Sequence, residues 1–557
     1  NARQDGAQVH YIVARAPAAF LDALAAAGAV VSDTASQLPA IQLAGDDDLV
    51  DELLLALAAI RLPATTRRGP AAPPLPPVVA PNHHGLSLLY GWLPVTIQVI
   101  AAIVLVLAIG WRGRRWRYLW LPVCAVIGIA AAAWANWYTT SEGLAGNPAP
   151  AALWIWVGLS GLALGVLVLG WRGSRWWRRG VAILAVPLCL LSTGVALNDW
   201  VGYFPTVQTA WGELTAGPLT DETEMSSVTA MKASGTVPSH GAVVEVDIPD
   251  TASGFAHRTE LVYLPPAWFA HDAPPLPTVM MVAGEFNTPA DWLRIGNVAS
   301  LFDNFAAAHG GYAPVFAFVD AGGSFNNDTE CVNGPRGNVA DHLVKDVPPY
   351  LVSKFGVSAK PANWGVVGWS MGGTCAMDLT VMHPEQFGAF VDIAGDMGPN
   401  AGTKEQTVAR LFGGSETQWA AFDPRTVMTK HGPYQGVSGW FAISSDAPTQ
   451  WKGMKSRPDA VGLGGRDGAG NPGDQTAAAT TLCGLGRQLG IDCAVVTQPG
   501  KHDWPFAVAA FQTSLPWLAG RVGTPGVPVT GFPAGAAAPA SPAGPAASVA
   551  AGPHPGN

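Results

Sequence analysis

Hydrophobic positions are distributed unevenly along the chain, and the longest apolar runs all lie within its first 200 residues. Four runs, each near the roughly 20 residues that a helix needs to cross a bilayer, occupy residues 88–111, 118–138, 151–171 and 180–200. Tryptophan and tyrosine lie near the ends of these runs, as in the aromatic belts of membrane proteins. The pattern therefore predicts four transmembrane helices.

Arginines are concentrated in two of the three loops between these helices, at 112–117 and 172–179, whereas residues 139–150 contain no Lys or Arg. By the positive-inside rule both arginine loops are cytoplasmic, so the segments before and after the four helices are expected outside. The two loops share a repeated sequence, GWRGRRW at 110–116 and GWRGSRW at 170–176, which indicates a duplicated hairpin. Because the first residue is Asn, we expect the sequence to begin after a processed or trimmed leader.

From about residue 240 the pattern changes to short apolar runs that alternate with helical periodicity. Runs that are apolar on both faces are typical of buried parallel strands covered by helices. The predicted strands are 261–264, 278–283, 315–319, 364–367, 439–443 and 493–497. The fold class predicted is α/β, with a mainly parallel sheet of the α/β-hydrolase type.

The remaining segments complete a six-part organisation. Its parts are a small α/β module (1–64), a Pro-rich linker (65–86), the four helices (87–200), a second linker (201–237), the α/β-hydrolase domain (238–521) and a disordered Ala/Pro/Gly tail (522–557).

Residues 368–372 read GWSMG, directly after the predicted strand 364–367 and before a helical run. A serine nucleophile on a strained strand-to-helix turn, called a nucleophile elbow, needs glycines two positions before and two after it, because neighbouring backbones leave no room for side chains. This context predicts that Ser370 is a catalytic nucleophile. Its oxyanion hole would use the backbone N–H groups of Met371 and of Glu285, which follows the predicted strand 278–283.

A serine nucleophile needs a histidine base and an acid that orients it, in the chain order Ser, acid, His. His502 follows the last predicted strand and is the expected base, while His383, at the end of the elbow helix, is interpreted as structural. Asp446, just after the strand 439–443, is favoured as the acid. Asp474 remains the alternative, although it could simply be the N-cap of the following helix.

Several function classes are disfavoured by composition. The net charge is -9 and no basic run lies outside the membrane loops, so nothing favours nucleic-acid binding. The cysteines have no CxxC or His/Cys metal spacing, and we expect neither a metal nor a cofactor.

Residues 240–520 resemble the esterase D and antigen 85 family of α/β-hydrolases, which includes acyl esterases, feruloyl esterases and mycolyltransferases. The resemblance depends on Gly284 and on the sequences GWSMGG (368–373), HPEQFG (383–388) and GKHDWP (500–505). It implies Ser370 and His502 as nucleophile and base, and the backbones of Glu285 and Met371 as the oxyanion hole. The chain departs from the family at the acid, because a long loop (450–473) separates Asp446 from the helix that follows. Some members of the family have an acid near the start of that helix, so Asp474 remains the alternative.

An outward-facing domain would favour paired thiols. Cys483 and Cys493 flank a helix-to-strand turn, which leaves Cys331 and Cys375 as a second pair. The leading hypothesis is a membrane-anchored extracytoplasmic esterase or acyltransferase that forms an acyl-enzyme with a membrane lipid or cell-envelope ester at the lipid bilayer. The competing hypothesis is a non-catalytic scaffold for envelope assembly.

Overall fold

The structure, a computed structural model, describes residues 85–110, 112–142, 149–172, 174–215, 219, 221–444, 475–533 and 536, together with the strands of the N-terminal segment. The chain divides into two compact units, Asn1–Ala71 and Ala72–Asn557. In the first unit four antiparallel strands form a sheet in the order β1-β2-β4-β3. They are β1 (Ala2–Arg3), β2 (Val9–Val13), β3 (Val30–Asp33) and β4 (Pro39–Ala44). The helices expected of the small α/β module (1–64) lie outside the described residues.

Four helices in the second unit are long and apolar enough to cross a membrane. They are α1 (Trp92–Ile109), α2 (Leu121–Glu142, continuing a π-helical turn at Trp116–Trp120), α3 (Ala151–Leu169) and α4 (Trp176–Val201). Their outward surfaces are apolar: Val106, Ile129 and Val168 are 66%, 69% and 63% exposed. A ring of exposed aliphatic side chains is unfavourable in water and favourable in lipid, so the prediction of a membrane segment agrees with this surface.

The rest of the second unit is built on an eight-stranded sheet in the order β14-β13-β12-β11-β7-β8-β6-β5. The strands from β14 to β8 in that order are parallel, β6 runs antiparallel to them, and β5 pairs antiparallel with β6 at the edge of the sheet. The strands are β5 (Ala242–Val246), β6 (Glu260–Leu264), β7 (Thr278–Val282), β8 (Val315–Val319), β11 (Trp364–Trp369), β12 (Ala389–Ile393), β13 (Ser438–Ser444) and β14 (Asp492–Gln498). A two-stranded ribbon is formed by β9 (Asn333–Gly334) and β10 (Gly337–Asn338).

Two helices precede the first strand of this sheet, and the others connect or follow its strands. They are α5 (Val207–Leu214), α6 (Met225–Ser234), α7 (Asp291–Arg294), α8 (Val298–Ala308), α9 (Val339–Asp341), α10 (Val347–Phe355), α11 (Met371–Met382), α12 (Lys404–Phe412), α13 (Glu416–Phe422), α14 (Pro424–His431), α15 (Gln475–Gln488) and α16 (Trp504–Arg521). Two of them, α5 and α6, lie within the stretch 201–237 that the sequence predicts as a linker.

The sheet separates two hydrophobic layers, because successive side chains of a strand point to opposite faces. In the central strand β11, Val366 belongs to one layer and Val367 to the other, and both are fully buried. The α/β-hydrolase fold class is confirmed, and all six predicted strands are present. Strands β5, β9, β10 and β12 were not predicted from the sequence.

Both predicted disulfides are present. Cys331–Cys375 ties the loop after β8 to α11, and Cys483–Cys493 joins α15 to β14. Among the described residues, Cys124 in α2 and Cys189 in α4 are free and buried.

Candidate active site

Ser370 lies in the turn between β11 and α11, at the centre of the sheet's carboxyl edge. Its backbone has φ 58° and ψ -122°, an unusual conformation for a residue with a side chain. The turn is secured by a hydrogen bond from the Ser370 N–H to the carbonyl oxygen of Ile393 at 2.9 Å. The serine side chain is thereby directed away from the sheet.

The glycines of the predicted motif are required by contact with backbone. A Cβ atom on Gly368 would overlap the carbonyl group of Gly372, and one on Gly372 would overlap the carbonyl oxygen of Val282 in β7. The glycine spacing of the GWSMG motif therefore has a direct steric cause in this chain.

The structure brings His502 to Ser370. The histidine lies on residues 499–503, the loop between β14 and α16, which we call the histidine loop. Its Nε2 is 3.0 Å from the Ser370 Oγ. The ring of Trp369 lies beside the imidazole, with ring centroids 5.4 Å apart. Burial lowers the pKa of His502 to about 4, so the imidazole is neutral at pH 7 and has a lone pair available for a proton.

The other ring nitrogen, Nδ1, lies 3.4 Å from the side-chain amide nitrogen of Gln475. That amide also donates to the carbonyl oxygen of Ala394 at 2.8 Å. Asp446 and Asp474, the two predicted acids, lie outside the described residues. The nearest described neighbours of each in the sequence contact the histidine loop: Ser444 donates to the carbonyl of Gly500, and Gln475 contacts His502.

The predicted oxyanion donors belong to two elements that meet beside Ser370. Met371 is the first residue of α11, so its N–H has no carbonyl partner within the helix. Glu285 follows β7 by way of Gly284, and a Cβ on Gly284 would lie 3.3 Å from the Ser370 Cβ. The close approach of Gly284 brings the loop 284–288, which we call the oxyanion loop, against the nucleophile.

Comparison with known proteins agrees with this geometry. Residues 256–447 match the family model described as "Putative esterase". These residues are similar to that family, and we call the domain that contains them the esterase domain. An uncharacterised protein of Corynebacterium glutamicum is 28% identical over 447 residues, covering 77% of this chain and 95% of that protein. The similarity to that relative therefore extends well beyond the esterase domain.

Two solved structures are among those to which the chain is similar. MPT51 from Mycobacterium tuberculosis is 17% identical to this chain, with a TM-score of 0.34. The match covers 50% of this chain and 97% of MPT51. An S-formylglutathione hydrolase from Agrobacterium tumefaciens is 16% identical to this chain, with a TM-score of 0.39. The match covers 51% of this chain and 97% of the hydrolase.

A pocket of the esterase domain opens beside Met371 and the oxyanion loop, and Arg258 lines its wall. The guanidinium donates to the carboxylate of Asp320 at 2.6 Å and to the carbonyl oxygen of Asn287 at 2.8 Å. Burial alone would raise the pKa of Asp320, but the hydrogen bonds and charge of Arg258 outweigh it and the pKa is lowered. Arg258 therefore links Asp320 to the oxyanion loop.

Phe286 and Phe325 form an apolar surface near this pocket. Their ring centroids are 5.4 Å apart, and Phe325 is 65% exposed. Phe286 belongs to the oxyanion loop, so an apolar group that packs on the pair would lie close to the reacting carbonyl.

Three residues of metal-binding type lie together within the described structure: His257, Glu260 and His342. The contacts of His257 suit a ring that donates from both nitrogens better than a metal ligand. Both ring nitrogens of His257 face carbonyl oxygens, of Arg258 at 2.9 Å and of Ile248 at 2.7 Å, so both must donate. The rings of His257 and His342 are stacked with centroids 4.4 Å apart, so their lone pairs do not converge on one point.

Proposed function

We propose that the protein is a membrane-anchored serine esterase or acyltransferase that acts on a lipid or cell-envelope ester outside the cytoplasm. The observation that carries this proposal is the 3.0 Å contact between Ser370 Oγ and His502 Nε2, on a strained elbow within an esterase domain. No other histidine described in the structure is in hydrogen-bond contact with a residue of the elbow turn, 368–372.

The proposed reaction proceeds through an acyl-enzyme. Ser370 Oγ attacks the ester carbonyl while His502 Nε2 takes the hydroxyl proton, and the N–H groups of Glu285 and Met371 stabilise the oxyanion. The leaving alcohol receives the proton from His502. Water then releases the acyl group in an esterase, or a sugar or lipid hydroxyl accepts it in a transferase.

A carboxylate at His502 Nδ1 would complete the site, with Asp446 favoured and Asp474 as the alternative. The imidazolium that forms during catalysis is costly in a buried site, and burial already lowers the pKa of His502 to about 4. An acid at Nδ1 offsets this cost and holds the tautomer that leaves Nε2 free to accept the serine proton.

The membrane placement is supported by the surface next to the site. Helix α5 begins six residues after α4 ends at Val201, and it exposes Val207, Trp211 and Leu214, the last two at 68% and 79%. These residues are spaced for one helix face, as in helices that lie at the membrane interface. With the arginine loops 112–117 and 172–179 on the cytoplasmic side, this interface would be the outer one.

Labelling with a fluorophosphonate probe tests the proposal. In the full chain, Ser370→Ala should abolish labelling and leave the melting temperature unchanged, since it removes only the nucleophile. Ser324→Ala, which removes a serine from the wall of the same pocket, is the matched control and should label like the wild type. Undiminished labelling of Ser370→Ala would refute the assignment.

The side of the membrane is tested with a charged probe that does not cross bilayers. We expect such a probe to label intact cells as fully as a permeant one. Labelling only after lysis would place the domain inside. Comparison of envelope lipids with and without the gene would identify the substrate, and rescue of a deletion strain by Ser370→Ala would favour the scaffold hypothesis instead.

A further inference from the structure

Two short segments join the membrane helices to the esterase domain. We call residues 86–90, which lead into α1, the entry connector, and residues 202–206, which leave α4, the exit connector. They are hydrogen-bonded to each other, with the N–H of Leu88 donating to the carbonyl oxygen of Pro205 at 3.0 Å. The two connectors are therefore joined to each other between the four apolar helices and the esterase domain.

The entry connector contacts the histidine loop. The Tyr90 hydroxyl donates to Oδ2 of Asp503, the residue that follows His502. Asp503 is buried and uses its other oxygen to cap α16, accepting from the Phe506 N–H at 3.0 Å. On the other side of the histidine, the Lys501 ammonium lies 4.7 Å from the centre of the Tyr90 ring. Tyr90 thus contacts both neighbours of His502.

The exit connector packs against the same loop through its backbone. Gly202 has φ +65°, and a Cβ atom there would lie 2.8 Å from the Cβ of Asp503 and 3.0 Å from the carbonyl oxygen of His502. Only glycine permits this approach in this backbone conformation. The end of α4 and the backbone of His502 are in direct contact.

The next residue of the exit connector reaches the oxyanion loop. The Tyr203 hydroxyl donates to Oδ2 of Asp291 at 2.6 Å. The same carboxylate accepts from the Thr288 N–H at 2.8 Å and from the Asn287 amide at 3.2 Å, so it holds the end of the oxyanion loop. Burial first, and the charge of Asp291 second, raise the pKa of Tyr203, so the phenol keeps its proton and remains a donor.

We propose that Tyr90 and Tyr203 are positioning residues of the catalytic site, Tyr90 acting on His502 through Asp503 and Tyr203 acting on the oxyanion loop through Asp291. The membrane segment is then a part of the active site and more than a tether. This inference rests on the proposed function, since it assumes that Ser370, His502 and the oxyanion loop carry out the chemistry.

The competing explanation is that these hydrogen bonds only stabilise the fold. Tyr263 provides a matched control, because its hydroxyl also donates to a buried carboxylate, Oδ1 of Asp303, at 2.7 Å. Tyr263 lies on β6, near the antiparallel edge of the sheet and away from Ser370. Tyr263→Phe removes the same kind of bond without touching the histidine loop or the oxyanion loop.

The experiment compares Tyr90→Phe, Tyr203→Phe and Tyr263→Phe in the full chain, purified in detergent. The substrate is p-nitrophenyl butyrate, a short soluble ester whose reaction does not require a bilayer. Rates are expressed per folded molecule, and the melting temperature is measured for each variant. We expect Tyr90→Phe and Tyr203→Phe each to lower kcat by about tenfold or more with KM changed by less than about twofold, because misplaced groups lose transition-state contacts. Tyr263→Phe should lower the melting temperature to a similar extent and leave kcat within about twofold.

The inference is overturned if all three variants lose stability alike and kcat stays at the wild-type value. It is also overturned if the loss appears only in KM. The proposed function fails in a different way: the wild type itself would neither hydrolyse the ester nor react with a fluorophosphonate. Gly202→Ala, which crowds the His502 backbone directly, should repeat the kcat loss of Tyr90→Phe.

Discussion

Asp392 is a buried carboxyl group directly behind the nucleophile elbow. It lies in β12, where its Oδ1 accepts from the Gly395 N–H at 2.7 Å. Burial raises its pKa from the ordinary 3.8 to about 7. A group whose pKa is raised on folding stabilises the folded state while it is protonated. Its contribution is fully present below about pH 4 and is lost as the pH rises through about 7.

The size of this loss follows from the pKa difference. Each pH unit between the unfolded and folded values costs about 1.4 kcal/mol, so the contribution falls by roughly 2–3 kcal/mol between pH 5 and pH 8. Asp392→Asn removes the charge and keeps an oxygen that can accept from Gly395. We therefore expect the variant to become more stable relative to the wild type as the pH rises.

The assay is thermal unfolding of both proteins in detergent, followed by tryptophan fluorescence between pH 5 and pH 8. The difference in melting temperature should widen by about 5 °C over this range. Asp492→Asn, which alters a side chain that is 55% exposed on β14, two strands away from β12, is the control and should run parallel to the wild type. A difference between Asp392→Asn and the wild type that is equal at pH 5 and pH 8 would show that Asp392 is ionised in the fold and would refute the reasoning.

Three further predictions concern the site and its supports. One of Asp446→Asn and Asp474→Asn should lower kcat by about 10³–10⁴ and the other should leave it near the wild-type value; two active variants would exclude both acids. Gly284→Ala should lower kcat by about 10² with little change in melting temperature, because the new Cβ would lie 3.3 Å from the Ser370 Cβ. Gly212→Ala in α5, where a Cβ meets no atom within 4 Å, should be harmless, and equal activity of the two variants would contradict the steric argument. Replacing Cys331 and Cys375 by Ser should destabilise the fold by about 4 kcal/mol and replacing Cys483 and Cys493 by about 3, since the first pair spans 44 residues and the second 10. Melting temperatures in the reverse order would contradict this loop-length argument.

The features that could be predicted from the sequence are those with a local cause. In the elbow at Ser370, a Cβ atom on Gly368 would overlap the backbone of Gly372 only four residues later, so this steric requirement is visible as a spacing in the chain. The four membrane helices and six buried strands are likewise continuous apolar runs. The contact between His502 and Ser370 was expected from the chain order of nucleophile, acid and base in α/β-hydrolases, which limits where a histidine base can lie.

The features that were missed depend on contacts between distant residues or break the local pattern. Strand β12 reads AFVDI, and its buried Asp392 interrupts the apolar run. The bonds of Tyr90 to Asp503 and of Tyr203 to Asp291 join residues 413 and 88 positions apart. A tyrosine next to a membrane helix is typical of an interfacial aromatic belt, and no sequence pattern distinguishes such a residue from one that reaches into a catalytic site.

The paired connectors have a consequence for which esters the protein can reach. A domain on a flexible linker explores a volume whose radius grows with linker length. Here a second hydrogen bond, from the Val207 N–H to the Leu86 carbonyl oxygen at 2.9 Å, also joins the two chain segments that lead into and out of the four helices. On the proposed membrane placement, Ser370 is held at a set height above the lipid surface. The protein would then select substrates by depth, cleaving an ester whose carbonyl rises to that height and passing over the same chemical bond when it lies deeper in the bilayer.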